Sequence, residues 1–519
     1  MSTAPDQPVQ PPRPAADACP ADVNAAVGEG ARAPRGRADA CPGALRLHTA
    51  DDGALARVRV PGGALGAAQA ERLGEAARRF GDGDVHLTSR GNVQLRGLAA
   101  GCGAELAQLL GAAGLLPSAA HERVRNVVAS PLSGLDGQGH LDVGGWLREL
   151  DGLLCGSAAA AALSGRFLFA LDDGRGDVAA LGPDVTLRAA PDGTALLRIG
   201  RNTALRLPAA DAPRAALLAA EGFLAAATPD GGGEPTAWRV ADLPDRGAAL
   251  TADLAGRLTA PPATTAAPPA ASPAGTRGEA AHTASPAGTR GEAAHTAPTV
   301  PPAIGPIPHP AAPGGPLALS VLAPLGRLTP DQWRALCALA ARTPAAQLRL
   351  TPWRGAVVPG VPADRARAEL AALAAAGLVT DPGSPWVGVS ACAGRPGCAK
   401  SLADVRADAA ALVHPAPGDA EPSRPTPGSG EPGDTQPEGT QPGSGEPGGT
   451  TPRPLPVHWS GCSRACGRPR TPDRVEVVAT SNGYRVDLFR TGAPLRSAHP
   501  RPADLAATVA AARRGAPTE

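Results

Sequence analysis

The 519-residue chain has one lysine, Lys400, against 48 arginines. It has no run of 18 or more apolar residues, so no membrane-spanning helix is indicated. Its formal net charge is +1, so nothing draws the whole molecule toward nucleic acid or a membrane surface. No Gly-rich nucleotide fingerprint follows a strand-like segment, so no dinucleotide site is indicated. The first 20 residues lack both a basic n-region and an apolar h-region. The expectation is a disordered leader and a cytoplasmic protein with reduced thiols. With so many arginines, a single Arg says little. Lys400, two residues after Cys398, says more.

What is present falls into folded blocks and low-complexity tracts. Residues 1–40 are rich in Pro, Ala and Arg. Residues 257–312 carry "SPAGTRGEAAHTA" twice in tandem, and 415–454 carry "PGSGEP" twice. Such compositions do not bury enough apolar surface to offset ordering entropy, so the expectation for all three is disorder. A longer repeat lies between them. Shifted by 263 positions, 58–98 aligns with 321–361 without a gap. Eleven of 41 positions are identical, among them Gln69/Gln332, Thr88/Thr351, Gly63/Gly326 and Gly97/Gly360. Matches at Gln, Thr and Val exceed what an Ala-, Gly- and Arg-rich composition supplies, so the chain contains two related half-domains. "LARVRV" (55–60), "DVHLTS" (84–89) and "NVQLRG" (92–97) alternate like half-buried strands, and 66–80 has helical apolar spacing. The fold class is therefore α+β with internal pseudo-symmetry.

Four of the nine cysteines form two groups. Cys392 and Cys398 are separated by five residues, Cys462 and Cys466 by three. Four thiolates are the ligand set of a [4Fe–4S] cluster, and glycines at 394, 397, 461 and 467 let backbone N–H groups approach its sulfurs. The five-residue gap disfavours zinc, which takes closer pairs. Cys19, Cys41, Cys102, Cys155 and Cys337 are isolated and read as small buried residues. Arginines gather in "LTSRGNVQLRG" (87–97) and "HERVRNVVASP" (121–131), a pattern suited to a polyanionic ligand, although each Arg alone reads as a solvated surface residue.

The stretches "DVHLTSRGNVQLRGL" and "ERVRNVVASP", the C-x5-C…C-x3-C pair and the internal repeat resemble the nitrite/sulfite reductase superfamily. The resemblance covers most of 41–255 and 313–515. It implies two pseudo-symmetric halves, each with a ferredoxin-like half-domain (41–115 and 313–380). A tetrapyrrole-binding domain follows each, at 116–256 and at 381–519, the second also holding the cluster. Within the superfamily, "CPGALRLHTADDGALARVRVPGG", "RFLFALDDG", "LRLTPWRG" and "GRPGCAKSLADVRADA" resemble the precorrin-3B synthases of aerobic cobalamin biosynthesis.

That likeness implies an O2-dependent monooxygenase that hydroxylates precorrin-3A at C20 and closes a γ-lactone. It also implies a [4Fe–4S] cluster on Cys392, Cys398, Cys462 and Cys466, a further iron centre, and electrons from NADH through a reductase or from ferredoxin. The superfamily's basic active-face residues map onto Arg90, Arg125 and Arg166 as catalytic candidates. Arg90, Gln94, Arg96, Arg123, Arg125 and Asn126 are the candidates for holding the tetrapyrrole's carboxylates. The reductases' Lys-x-Lys falls on Arg166 and Leu168, and the apolar second position favours the synthase over a sulfite or nitrite reductase, because an oxyanion-reducing site needs the lost cation. The alternatives are a siroheme-dependent reductase, in which the further iron is siroheme, and a non-catalytic iron–sulfur protein of the same fold. Histidines 48, 86, 121, 140, 414, 458 and 499 are candidates for the second iron, but no pair has helical ligand spacing.

Overall fold

The computed structural model describes residues 41–228, 233, 235–259, 300–413, 454–469 and 471–515; the leader, the tandem repeat and most of the 415–454 insertion lie outside these. Among the described residues no helix is long and apolar enough to cross a membrane.

Four five-stranded sheets come in two matched pairs. The first orders His48–Ala50, Gly53–Val58, Val93–Leu98 and Val85–Leu87, and finishes on Arg327–Leu328 from the other half. Its counterpart orders Gly305–Ile307, Leu317–Leu322, Gly355–Val361 and Gln347–Leu350, and finishes on Ala64–Gly66. Each half-domain thus lends the other its edge strand, with Leu328 opposite Val85 and Leu348 opposite Leu65. The two repeats share one core. Leu65, Leu73, Val85 and Leu95 from the first pack in the same cluster as Leu319, Trp333, Leu336 and Leu348 from the second.

The repeated residues have local reasons. Helices Ala67–Phe80 and Pro330–Ala341 pack on one another across the pseudo-twofold. In each, the repeated glutamine is the third helical residue and reaches back to the cap. Gln69 Oε1 accepts from Gly66 N at 3.0 Å, and Gln332 Oε1 from Thr329 N at 2.9 Å, while Gln332 N donates to Thr329 Oγ1 at 3.3 Å. Gly63 sits at φ +70°, and a Cβ there would lie 1.9 Å from the Leu350 carbonyl oxygen, so the exchanged strand can approach only a glycine.

The other two sheets run Val127–Ala129, Phe169–Asp172, Val185–Ala189, Thr194–Ile199, Leu205–Pro208, and Val389–Ala391, Val457–Ser460, Arg474–Thr480, Gly483–Arg490, Ala493–Ala498. Both have two parallel pairings followed by two antiparallel ones. Helices Gly144–Gly156 and Ala212–Ala227 cover the first, and Val405–Val413 and Leu505–Arg513 cover the second. The architecture is α+β with two pseudo-symmetric halves.

Candidate functional site

The four grouped cysteines lie on two loops that follow the first two strands of the last sheet. Cys392 comes directly after Val389–Ala391, and its N–H donates to Trp459 O at 2.9 Å. Cys462 comes two residues after Val457–Ser460. Leu402 N donates to Gly461 O at 2.8 Å, which ties the first loop to the second across the sequence gap. Gly461 N donates to Cys392 Sγ at 3.2 Å. A Cβ on Gly461 would lie 1.8 Å from Ser401 Oγ, so the loops meet only because this residue is glycine.

The thiols share one electrostatic environment. Burial raises the Cys466 thiol above its usual range, and the nearby Cys462, Cys392 and Cys398 raise it further. Among the described residues, no three of these sulfurs lie within 4.8 Å of one another. At a Zn–S bond of about 2.3 Å, tetrahedral thiolates on one ion would sit closer, at roughly 3.8 Å. A four-iron cube places each thiolate on its own iron and needs the wider spacing. Four thiols on two tied loops form a donor set that fits a [4Fe–4S] cluster.

Cations surround this site. Arg406, in the first turn of helix Val405–Val413, donates from Nε to Cys392 O at 3.1 Å and from Nη1 to His86 Nδ1 at 3.2 Å. Burial lowers its pKa to about 10, and the charges of Arg96, Arg327 and Arg354 add to that effect. Arg354, at φ +61°, donates from Nη2 to Gly467 O at 3.0 Å; burial lowers its pKa, and Cys392 opposes the shift. His458 bridges Ser390 Oγ (2.9 Å from Nδ1) and Cys466 O (3.1 Å from Nε2), and burial holds its pKa down at about 3. It is a neutral imidazole donating to the carbonyl of the fourth cysteine. Lys400 is exposed on the first loop.

The candidates of the first half separate into two groups. Arg90 and Arg166 are adjacent: Arg90 Nη1 donates to Arg166 O at 3.5 Å, and the exposed Arg166 guanidinium stacks on Trp238 at 3.9 Å. Arg123 and Gln94 are half-buried, and the Arg123 carbonyl accepts from Arg59 Nε at 3.0 Å.

The other three face inward onto partners within the protein. Arg125 forks onto Asp151 (2.7 and 2.7 Å) and donates to Leu115 O. Asn126 is fully buried; its Oδ1 accepts from Arg59 Nη1 and Asn92 Nδ2, both at 3.0 Å, and its Nδ2 donates to Phe167 O at 2.9 Å. Arg96 forks onto Asp52 (2.7 and 2.9 Å) and donates to Gly397 O, which docks the cysteine loop on the first half-domain. In each case the donors are committed to partners within the protein. Leu168 is buried beside Val128, Ala170 and Val178, with Trp353 packed on the patch.

Among the histidines, His121 uses both ring nitrogens on Ser118 Oγ and Ser157 O, and His414 lies outside the described residues. His86 groups with Asp82 and Asp84, their ligand atoms all within 4.8 Å. However, Nδ1 accepts from Arg406, so the ring proton sits on Nε2, facing Asp82, and Arg327 pairs with Asp84. His86 Nε2 is buried 3.5 Å from Asp82 Oδ2 without a hydrogen-bond partner among the described residues.

Residues 48–113 and 309–376 each match the family described as "Nitrite/Sulfite reductase ferredoxin-like half domain". A ferredoxin–nitrite reductase of Leptolyngbya laminosa is 32% identical over 100 residues, 19% of this chain and 20% of that protein. A precorrin-3B synthase of Sinorhizobium sp is 40% identical over 85 residues, 16% of this chain and 18% of that protein. These matches span about a fifth of the relatives' length. The structure of the Mycobacterium tuberculosis NirA protein matches with a TM-score of 0.62 and 19% identity over 88% of this chain and 79% of that one, a likeness of fold. The two nitrite/sulfite reductase ferredoxin-like half-domains of this chain thus exchange edge strands inside one pseudo-symmetric fold.

Proposed function

We propose that this protein is a precorrin-3B synthase, an O2-dependent monooxygenase acting on a tetrapyrrole. One oxygen atom enters at C20 of precorrin-3A, the ring-A acetate closes a γ-lactone, and the second oxygen leaves as water with electrons from an external donor. Cys392, Cys398, Cys462 and Cys466 would hold a [4Fe–4S] cluster, which supplies one-electron transfer when bound. Arg90 and Arg166 would face the macrocycle's carboxylates, and Arg96 would orient the cluster loop.

The observation that carries this reading against a reductase is the shortage of cations on the active face. Of the four basic positions of the reductase pattern, Arg125 is already neutralised by Asp151, and Leu168 is an apolar residue in a buried patch. A site that reduces a small oxyanion needs charge stabilisation at the reacting atoms; a site that oxygenates the macrocycle itself needs less. The siroheme reductase remains the second reading, favoured by the similarity to nitrite reductases.

Two measurements on protein purified without O2 test the proposal. Each of the four Cys→Ala substitutions is expected to abolish iron and sulfide loading. Conversion of precorrin-3A under isotopically labelled O2 is expected to place label in the C20 hydroxyl. Siroheme absorption bands together with sulfite or nitrite reduction would replace the synthase with the reductase.

A further inference from the structure

The guanidinium groups around the cysteine site are not equivalent: Arg464 is exposed on the second cysteine loop beside Cys466. Arg96 is paired with Asp52 and Arg327 with Asp84. Arg354 and Arg406 have no carboxylate partner among the described residues; they donate to the carbonyls of Gly467 and Cys392 and to the ring of His86. Both are charged groups drawn out of water, and both are within electrostatic reach of Cys392. Both guanidiniums are half-buried, and a charge partly removed from water with no counter-charge beside it carries a cost.

The backbone makes room for one of them. Arg354 is in the left-handed region at φ +61°, a conformation that costs an ordinary side chain. A Cβ on Gly326 would fall 2.3 Å from Arg354 Cδ, and one on Gly467 would fall 2.9 Å from Arg354 Nη2. Arg406 is placed from the other side, between the Cys392 carbonyl and the first half-domain.

We infer that Arg354 and Arg406 are the charge-compensating pair of the four-cysteine site and set the potential at which its cluster takes an electron. The inference rests on the cluster proposed above. Four thiolates on iron carry net negative charge in the oxidised state, and reduction adds one electron from the external donor with no bond made or broken. Two fixed cations beside Cys392 and Cys466 favour the oxidised cluster over empty thiols, and the reduced cluster more strongly still. Removing either cation makes reduction harder.

The test is a potentiometric titration of the full chain, followed by the spectrum of the reduced cluster, for wild type, R354Q, R406Q and R406K, with iron and sulfide measured on each. Each Gln variant is expected to load and to shift the reduction equilibrium at least tenfold toward the oxidised form, which is about 59 mV downward for one electron. R406K is expected to stay within about threefold of wild type, since it keeps the charge and loses the fork. If R406Q does not load but R406K does, the charge is needed for assembly, which also supports the inference. Fully loaded Gln variants with the wild-type potential would overturn it. So would an R406K that shifts or fails to load as R406Q does, because the fork and not the charge would then matter. A wild-type chain that binds no iron or sulfide would instead remove the cluster proposal itself.

Discussion

Replacing Asn126 with Ala separates a ligand-holding role from a structural one. The side chain is completely buried and bonds to three groups on different segments: Arg59, Asn92 and the Phe167 carbonyl. Arg59 and Asn92 belong to the first half-domain, and Phe167 leads into the neighbouring sheet, so Asn126 joins the two units. Alanine leaves two donors and one acceptor without partners in a dry interior. A buried polar group stripped of its partner costs about 1–3 kcal/mol, more for an ion. Arg59 keeps the Arg123 and Gly165 carbonyls, which limits its share. The expected loss is about 3–5 kcal/mol. It is read as a lower urea midpoint at unchanged slope in tryptophan-fluorescence unfolding of the full chain. The reasoning fails if N126A unfolds at the wild-type midpoint while tetrapyrrole binding weakens. Asn126 would then be touching ligand, as the motif suggests.

Three further outcomes are expected. Burial first, then the charges of Asp172 and Asp173, push the Asp177 carboxyl up to about 7. Its proton is retained in the folded state after the unfolded chain has lost it, so stability is full below about pH 4 and falls as pH rises toward 7, by on the order of 3 kcal/mol. D177N is therefore expected to raise the urea midpoint at pH 8 and to change it little at pH 4; equal effects at both would refute the assignment. Gly74→Ala puts a Cβ 2.6 Å from Trp333 Cδ1, against the ring whose Nε1 donates to Ala70 O at 2.8 Å. It should cost about 1–3 kcal/mol by overpacking the contact between the two repeat helices, measured by the same unfolding. Deleting residues 420–450 should leave iron and sulfide content unchanged, because loop closure costs only about 0.6 kcal/mol per doubling of length. The ties between Cys392, Leu402, Gly461 and Trp459 all lie outside the deletion.

Much of the scaffold was legible because the features that specify it are local and repeated. The alternating segments fall on the strands Gly53–Val58, Val85–Leu87 and Val93–Leu98, and the helical spacing over 66–80 falls on Ala67–Phe80. The Gln69/Gln332 identity, visible only as a coincidence in the alignment, turns out to close the first turn of each helix. The strand exchange was not legible. Ala64–Gly66 and Arg327–Leu328 are three and two residues long, too short for any periodicity to register. The arginines were illegible for a different reason. A guanidinium's role depends on whether a carboxylate lies beside it, and Asp52 and Asp151 lie 44 and 26 positions from the arginines they neutralise. Only the fold decides that Arg96 and Arg125 are spoken for. It also shows that Arg354 and Arg406, beside the four cysteines, donate to carbonyls and a ring nitrogen and have no carboxylate among the described residues.

The pseudo-symmetry makes that difference specific. Counting from matched strands, Ser130 follows Val127–Ala129 where Cys392 follows Val389–Ala391, and Asp172 ends its strand where Ser460 ends the equivalent one. In the first half these loops carry carboxylates and close on themselves. Arg175 is held by both Asp136 and Asp173, Asp172 accepts three backbone N–H groups, and Ser130 donates to Asp177. In the second half the same loops carry thiols, and the nearby guanidiniums of Arg354 and Arg406 have no carboxylate partner among the described residues. One backbone plan has therefore been filled in two electrostatically opposite ways. The first half's loops are tied by hydrogen bonds and ion pairs among their own residues. The second half's loops leave positive charge beside four sulfur donors, and the anionic metal–thiolate centre proposed above would complement that charge.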